Sequence, residues 1–250
     1  MDNQLYDMIW KRKSFHLFRN TGVIAEHELQ LIQDKCSELQ SLYPNIRTNI
    51  KIVPASETTC KRGEEYCILF YSEPTGNYLS NIGYMGEQLD LYLAQLDIGA
   101  LWFGMGSPKK PACEGLEFVI MIAIAKMPQN TFRKNMYKSK RKSVEEIWVG
   151  EQYKDIADIV RFTPSACNSQ PWRVEATEQE LCIYRYKKPG KSGIMPAAKI
   201  TYYNRIDIGI FLCFLELCLT HQDKTFTREL FTDEGDEEQT LVARYGITLL

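Results

Sequence analysis

A chain of 250 residues with 44% hydrophobic and 25% charged residues has the balance of a globular protein, long enough for one large domain or two modest ones. A formal charge of −2 excludes a strongly basic nucleic-acid binder by composition. The longest apolar runs, 118–125 and 209–219, fall short of the roughly 18 residues of a membrane span.

In chain order, NQLYDMIWKRK (3–13) and IAEHELQLIQDKCSELQSL (24–42) read as helices. No secretory signal is visible in the polar, charge-interrupted start. EYCILFYSEP (65–74) carries the apolar and aromatic residues of a strand, and NIGYMGEQLDLYLAQL (81–96) follows with Ile82, Met85, Leu89, Tyr92 and Leu96 at helical spacing. GALWFGMGSP (99–108) leads into the buried-strand candidate FVIMIAIAK (118–126). Residues 126–142 hold seven cations and no acid, the pattern of either a basic surface linker or a phosphate clamp. SVEEIWVGEQYKDIADIVRF (143–162) reads as helical and runs straight into PSACNSQPW. After it come a second strand, ELCIYRYKKP (180–189), and a second helix, NRIDIGIFLCFLELCL (204–219). TDEGDEEQT (232–240) reads as an acidic solvated run with no site.

The two strands agree at five of ten positions, Asn81 matches Asn204, and Gly86 matches Gly209. The same order of strand, loop and helix therefore occurs twice, as in a duplicated α+β chain with repeats at 1–140 and 141–250. PSACNSQPW has no counterpart in the first copy, and GALWFGMGSP none in the second, which suggests one retained site built from both.

Eight cysteines are scattered among apolar residues without a CxxC pair, and histidines number three. This reads as reduced, mostly buried thiols in a cytoplasm, with no metal site expected.

WKRKSFHLF (10–18), GALWFGMG and PSACNSQPW together resemble the FMN-dependent nitroreductase family, in its single-chain, TM nitroreductase-like branch. The likeness spans most of residues 5–220 and is most specific at NSQPW. It implies a nitroreductase-like α+β fold of two fused half-like repeats, with antiparallel-rich sheets flanked by helices and one composite flavin-binding unit. It also implies a chain that is monomeric because the repeats replace a dimer.

By that resemblance Arg12, Lys13, Ser14 and His16 stand where the family binds the flavin phosphate and ribityl chain, His16 replacing a basic residue. Lys140 and Arg141 stand in the basic tail that closes over the phosphate. Gly104 belongs to the turn beside the ring, where glycines at 99, 104 and 106 let backbone approach closely. Pro164, Ser165, Asn168 and Gln170 match the segment facing the ring's polar edge, which amides suit because each carries donor and acceptor functions. Gln170 either meets the ring or supports the loop. Trp172 reads as a packed residue and Cys167 as a structural thiol. Trp102 and Phe103 either line the ring or fill the core.

The implied activity is FMN-dependent oxidation of NADH or NADPH, passing hydride through the flavin to nitroaromatic or quinone-type acceptors, with no dedicated protein acid or base. Alternatives are a non-catalytic flavin-binding or sensing protein, and a specialised flavin enzyme such as a dehalogenase or a ring-oxidising dehydrogenase.

Overall fold

The computed structural model describes residues 4–110, 113, 115–186 and 196–248; the 187–189 end of the second repeated strand lies outside them. The described chain forms two compact units. The N-unit comprises 7–78 and 85–136, and the C-unit comprises 1–6, 79–84 and 137–250. The division after residue 136 lies close to the expected boundary at 140/141, but segments 1–6 and 79–84 of the first repeat group with the second.

The N-unit is built on an antiparallel sheet of β1 (Thr48–Pro54), β2 (Tyr66–Ser72), β4 (Glu117–Lys126) and β3 (Ile98–Phe103), in that spatial order. Helix α2 (Glu26–Glu38) precedes β1, and α3 (Tyr78–Gln95) joins β2 to β3. β2 and β4 are the inner strands and hold the apolar runs Cys67–Tyr71 and Val119–Ala125, all buried. An inner strand is covered on both faces, so its sequence reads as continuous hydrophobicity instead of alternation.

The C-unit sheet runs β5 (Trp148–Val149), β6 (Trp172–Ala176), β7 (Glu180–Tyr186), β9 (Gln239–Thr248), β8 (Thr225–Leu230), with α6 (Ala197–His221) between β7 and β8. Apart from the short β5, which pairs parallel to β6, its order repeats that of the N-unit: β6-β7-β9-β8 against β1-β2-β4-β3. Both inner ladders also carry a register shift, at Phe70/Tyr71 and at Ile183/Tyr184. The sequence echo in β2 and β7 is thus the visible part of a duplicated topology.

Four expectations are corrected. The helical stretch expected over 143–162 holds α4 (Val144–Ile147) and α5 (Lys154–Val160) but is interrupted by β5. Gly150, at φ +103°, makes the break, and a Cβ there would lie 2.1 Å from the Ala176 carbonyl oxygen. Second, the strand carrying GALWFG does have a counterpart, β8, in the same place in the sheet, though β8 shares neither its glycines nor its aromatic pair. Third, the acidic run 232–240 is not all solvated. Asp233 is buried and takes a bidentate pair of bonds from Arg185, with Nε to Oδ2 at 2.7 Å and Nη2 to Oδ1 at 2.8 Å. Burying that arginine requires a carboxylate beside it.

Finally, Gly86 and Gly209 match in sequence but not in use. A Cβ on Gly209 would lie 1.9 Å from the Ser80 carbonyl oxygen, and one on Gly83 would lie 2.0 Å from that of Ile206. Gly83 and Gly209 therefore let the start of α3 and the middle of α6 meet backbone to backbone inside the C-unit. Gly86 instead makes room for the Trp102 indole, whose Cη2 would be 2.4 Å from a Cβ.

Candidate functional site

In the C-unit, PSACNSQPW forms a short 3-10 turn at Ala166–Asn168 entering β6. Three non-glycine residues in it are left-handed: Cys167 (φ 51°), Asn168 (φ 56°) and Gln170 (φ 49°). Each costs conformational energy that neighbouring bonds must offset, a pattern that clusters at ligand-binding sites. The bonds come from two sides.

From α6, Asp207 Oδ1 accepts the Ala166 N–H at 2.9 Å, and Ser169 Oγ lies 3.2 Å from Asp207 Oδ2 and 3.3 Å from Asn204 Oδ1. From the basic segment, the Lys142 N–H donates to Gln170 Oε1 and Lys142 Nζ to the Gln170 carbonyl, both at 2.8 Å. Arg141 Nη1 donates to Asn168 Oδ1 at 2.6 Å, and Asn168 Nδ2 donates to the Lys140 carbonyl at 3.1 Å. Within the loop, the Gln170 N–H donates to Ser165 Oγ at 3.0 Å.

Lys140, Arg141, Pro164, Ser165, Asn168 and Gln170 are therefore brought together in one unit. Their dispositions differ. Pro164 is buried, and Gln170, 4% exposed, spends its amide on Lys142 and on the Asn168 carbonyl; it supports the loop. Asn168 is exposed, with one donor and one acceptor function used and the second of each open to a ligand. Cys167 is exposed, unlike the five cysteines that are buried; all eight are free thiols. Trp172 is buried and stacks on Phe211 with ring centroids 5.0 Å apart, so it is core.

Asp207 went unnoticed in sequence because an acid in an apolar helix carries no motif. It is 3% exposed, and burial, only partly offset by the Ala166 and Ser169 bonds, pushes its carboxyl up to about 7.

The remaining candidates lie in the N-unit. Ser14 forms a parallel bridge with Ala100 along β3, and the Phe15 N–H donates to the Ala100 carbonyl at 3.0 Å, so residues 12–15 run beside the strand leading to Gly104. Arg12 does not have the disposition of a ligand-facing cation. It is 2% exposed, with Nη2 2.8 Å from Asp90 Oδ2, Nε 3.8 Å from Glu87 Oε1, and Nη2 donating to Ser14 Oγ at 3.3 Å. The Trp102 indole N–H donates to the same Asp90 oxygen at 2.9 Å, and the ring stacks on Phe70, which puts Trp102 in this unit's core network.

Lys13 is half-buried over the Phe15 ring, and burial together with the Arg133 charge lowers its pKa. His16 is exposed. Gly99 and Gly106 are not spared for a ligand: Cβ atoms there would meet Met127 and Phe15, and Phe103 and Met121, respectively.

The sequence matches the family model described as "Putative TM nitroreductase" over residues 4–219. The chain belongs to that nitroreductase family. No curated protein matches it. Among solved structures, one described as a putative nitroreductase from Thermotoga maritima MSB8 aligns with a TM-score of 0.61 at 18% identity, covering 97% of this chain and 92% of that one. A Desulfovibrio desulfuricans structure, described as a putative nitroreductase in complex with FMN, aligns at 0.45 and 18% identity over 61% of this chain and 99% of its own. An FMN-dependent nitroreductase from Clostridium difficile R20291 aligns at 0.42 and 15% identity over 57% and 100%. The nitroreductase family is one of flavin oxidoreductases, and this member shares its α+β fold with antiparallel-rich sheets. Among the described residues, no helix is long and apolar enough to cross a membrane.

Proposed function

We propose that this nitroreductase binds FMN and oxidises NADH or NADPH at the expense of a nitroaromatic or quinone-type acceptor. The observation that carries the reading is the exposed Asn168 amide, held in a left-handed loop and flanked by Arg141 and Lys140. FMN, when bound, supplies the hydride relay between nicotinamide and acceptor.

The residues suit that group. An amide with one donor and one acceptor open matches a heterocycle edge that bears both, and an adjacent cation suits an anionic ligand. The loop is fixed before a ligand arrives, because Asp207, Lys142 and Ser165 satisfy its backbone and Gln170 side-chain groups; this reduces the ordering cost of binding. In this reading Asn168 orients the ring edge, and Arg141 both orients Asn168 and offers charge. Lys13 beside Arg133 is a second cationic pair suited to an anion. Arg12 is withdrawn from the phosphate role.

The test is titration of flavin-free protein with FMN, followed by flavin fluorescence, together with NADH and NADPH oxidation in the presence of a quinone or a nitrofuran. Saturable binding with turnover supports the reading. Binding without turnover moves the protein to the non-catalytic alternative, and no binding discards the flavin.

A further inference from the structure

We propose that the N-unit holds a thiolate-rich site for Zn2+ formed by Cys60, Glu64 and Cys67, independent of the flavin reading. The two sulfurs and a carboxylate oxygen of Glu64 all lie within 4.8 Å of one another. Bonds of about 2.3 Å to sulfur and about 2.0 Å to oxygen set tetrahedral ligands roughly 3.5–3.8 Å apart, so the three need only a small contraction to close on one ion. Two thiolates with one carboxylate form a soft, borderline donor set that suits zinc over magnesium or calcium.

The surroundings hold the ligands in place. Cys67 sits within inner strand β2, paired with Val53 and Ala123, and is 0% exposed; Cys60 is 5% exposed. Between them the chain turns at Gly63 (φ +85°), where a Cβ would lie 2.6 Å from the Phe18 carbonyl oxygen. That turn is anchored by the Phe18 N–H on the Arg62 carbonyl at 2.8 Å and the Glu65 N–H on the Ile124 carbonyl at 2.9 Å. The Arg62 N–H donates to Glu64 Oε2 at 2.7 Å, orienting the carboxylate as a supporting shell does. Thr58 Oγ1 lies 3.5 Å from Cys67 Sγ and accepts the Cys60 N–H at 3.2 Å. The fourth tetrahedral position is left to a solvent water.

Without metal, ordinary thiols carry their protons at neutral pH. Binding then forms two Zn–S bonds and releases two protons to solvent, while zinc sheds waters. Apparent affinity should accordingly rise about a hundredfold per pH unit near neutrality. The product is a clip joining the 58–64 turn to β2.

The experiment uses the reduced full-length chain, stripped with a chelator, and titrated with Zn2+ alone and with Co2+ as a spectroscopic probe. One equivalent of Zn2+ should bind with release of about two protons, and Co2+ should give a sulfur-to-metal charge-transfer band with tetrahedral visible bands. Cys60→Ser and Cys67→Ser should each weaken binding at least a hundredfold and Glu64→Gln about tenfold, whereas Cys36→Ser and Cys182→Ser should leave it unchanged. A cobalt spectrum without the sulfur band overturns the proposal on wild-type protein, even if the variants fail to fold. So does metal binding that survives Cys67→Ser, or a Cys60–Cys67 disulfide formed in air by protein that takes up no zinc when reduced.

Discussion

Arg12 and Asp90 form a buried ion pair, with Arg12 Nε and Nη2 each 2.8 Å from Asp90 Oδ2 and both side chains almost wholly excluded from solvent. The pair ties the residue after α1 (Gln4–Lys11) to α3 within the N-unit. Removing one partner leaves the other charge buried and alone, which costs about 3–5 kcal/mol. Arg12→Ala should therefore lower stability by that amount in denaturant unfolding. Glu87 is the contrasting case. It is fully buried, neither oxygen accepts a hydrogen bond, and burial with the Asp90 charge raises its pKa well above the carboxylate range. Glu87→Gln, which mimics the neutral acid, should change stability by less than about 1 kcal/mol. A large loss in Glu87→Gln would show that its charge is used.

Asn168 and Arg141 should separate binding from folding, since both act at a surface loop. Asn168→Ala and Arg141→Ala are each expected to weaken FMN binding by roughly 10- to 100-fold, the loss of a bond to a charged or strongly polar group. Thermal unfolding should shift little. Flavin affinity equal to wild type in both variants would remove the loop from the site.

Asp207 predicts a pH dependence of stability. Its folded pKa, about 7, lies above the ordinary 3.8, so the native state holds the proton more tightly than the unfolded chain. That stabilisation is complete below about pH 4 and is lost as pH rises through about 7, amounting to on the order of 4 kcal/mol. Asp207→Asn should flatten the unfolding free energy between those limits. A slope unchanged in the variant would assign the titration elsewhere.

Gly209→Ala tests the close approach of α6 to the start of α3. A methyl 1.9 Å from the Ser80 carbonyl oxygen cannot fit without separating the two backbones. The expected cost is at least about 1–3 kcal/mol, despite alanine's better helix propensity of about 1 kcal/mol. Unchanged or increased stability by calorimetry would show that the contact is loose.

The local signals in this chain were short-range. Alternation and apolar runs located β2, β4 and β7, helical spacing located α3 and α6, and the echo between them exposed the duplication. The residues of PSACNSQPW signalled a specialised loop because uncharged donors and acceptors crowd between two prolines. Side-chain environment was not legible, because burial depends on what a distant segment places opposite. Arg12 stood as a phosphate-binding cation until Asp90 and Glu87 were found beside it, and Asp233 looked solvated until Arg185 was found beside it. Gln170 read as a ring-facing amide, with loop support as the alternative, and only the fold showed the Lys142 N–H on its oxygen. Cys60, Glu64 and Cys67 fit no metal spacing in sequence; the turn at Gly63 brings them together. Periodicity and composition are properties of neighbouring residues and survive in a one-dimensional reading. Pairing of charges, thiols and glycines across a fold is decided only when the chain closes on itself.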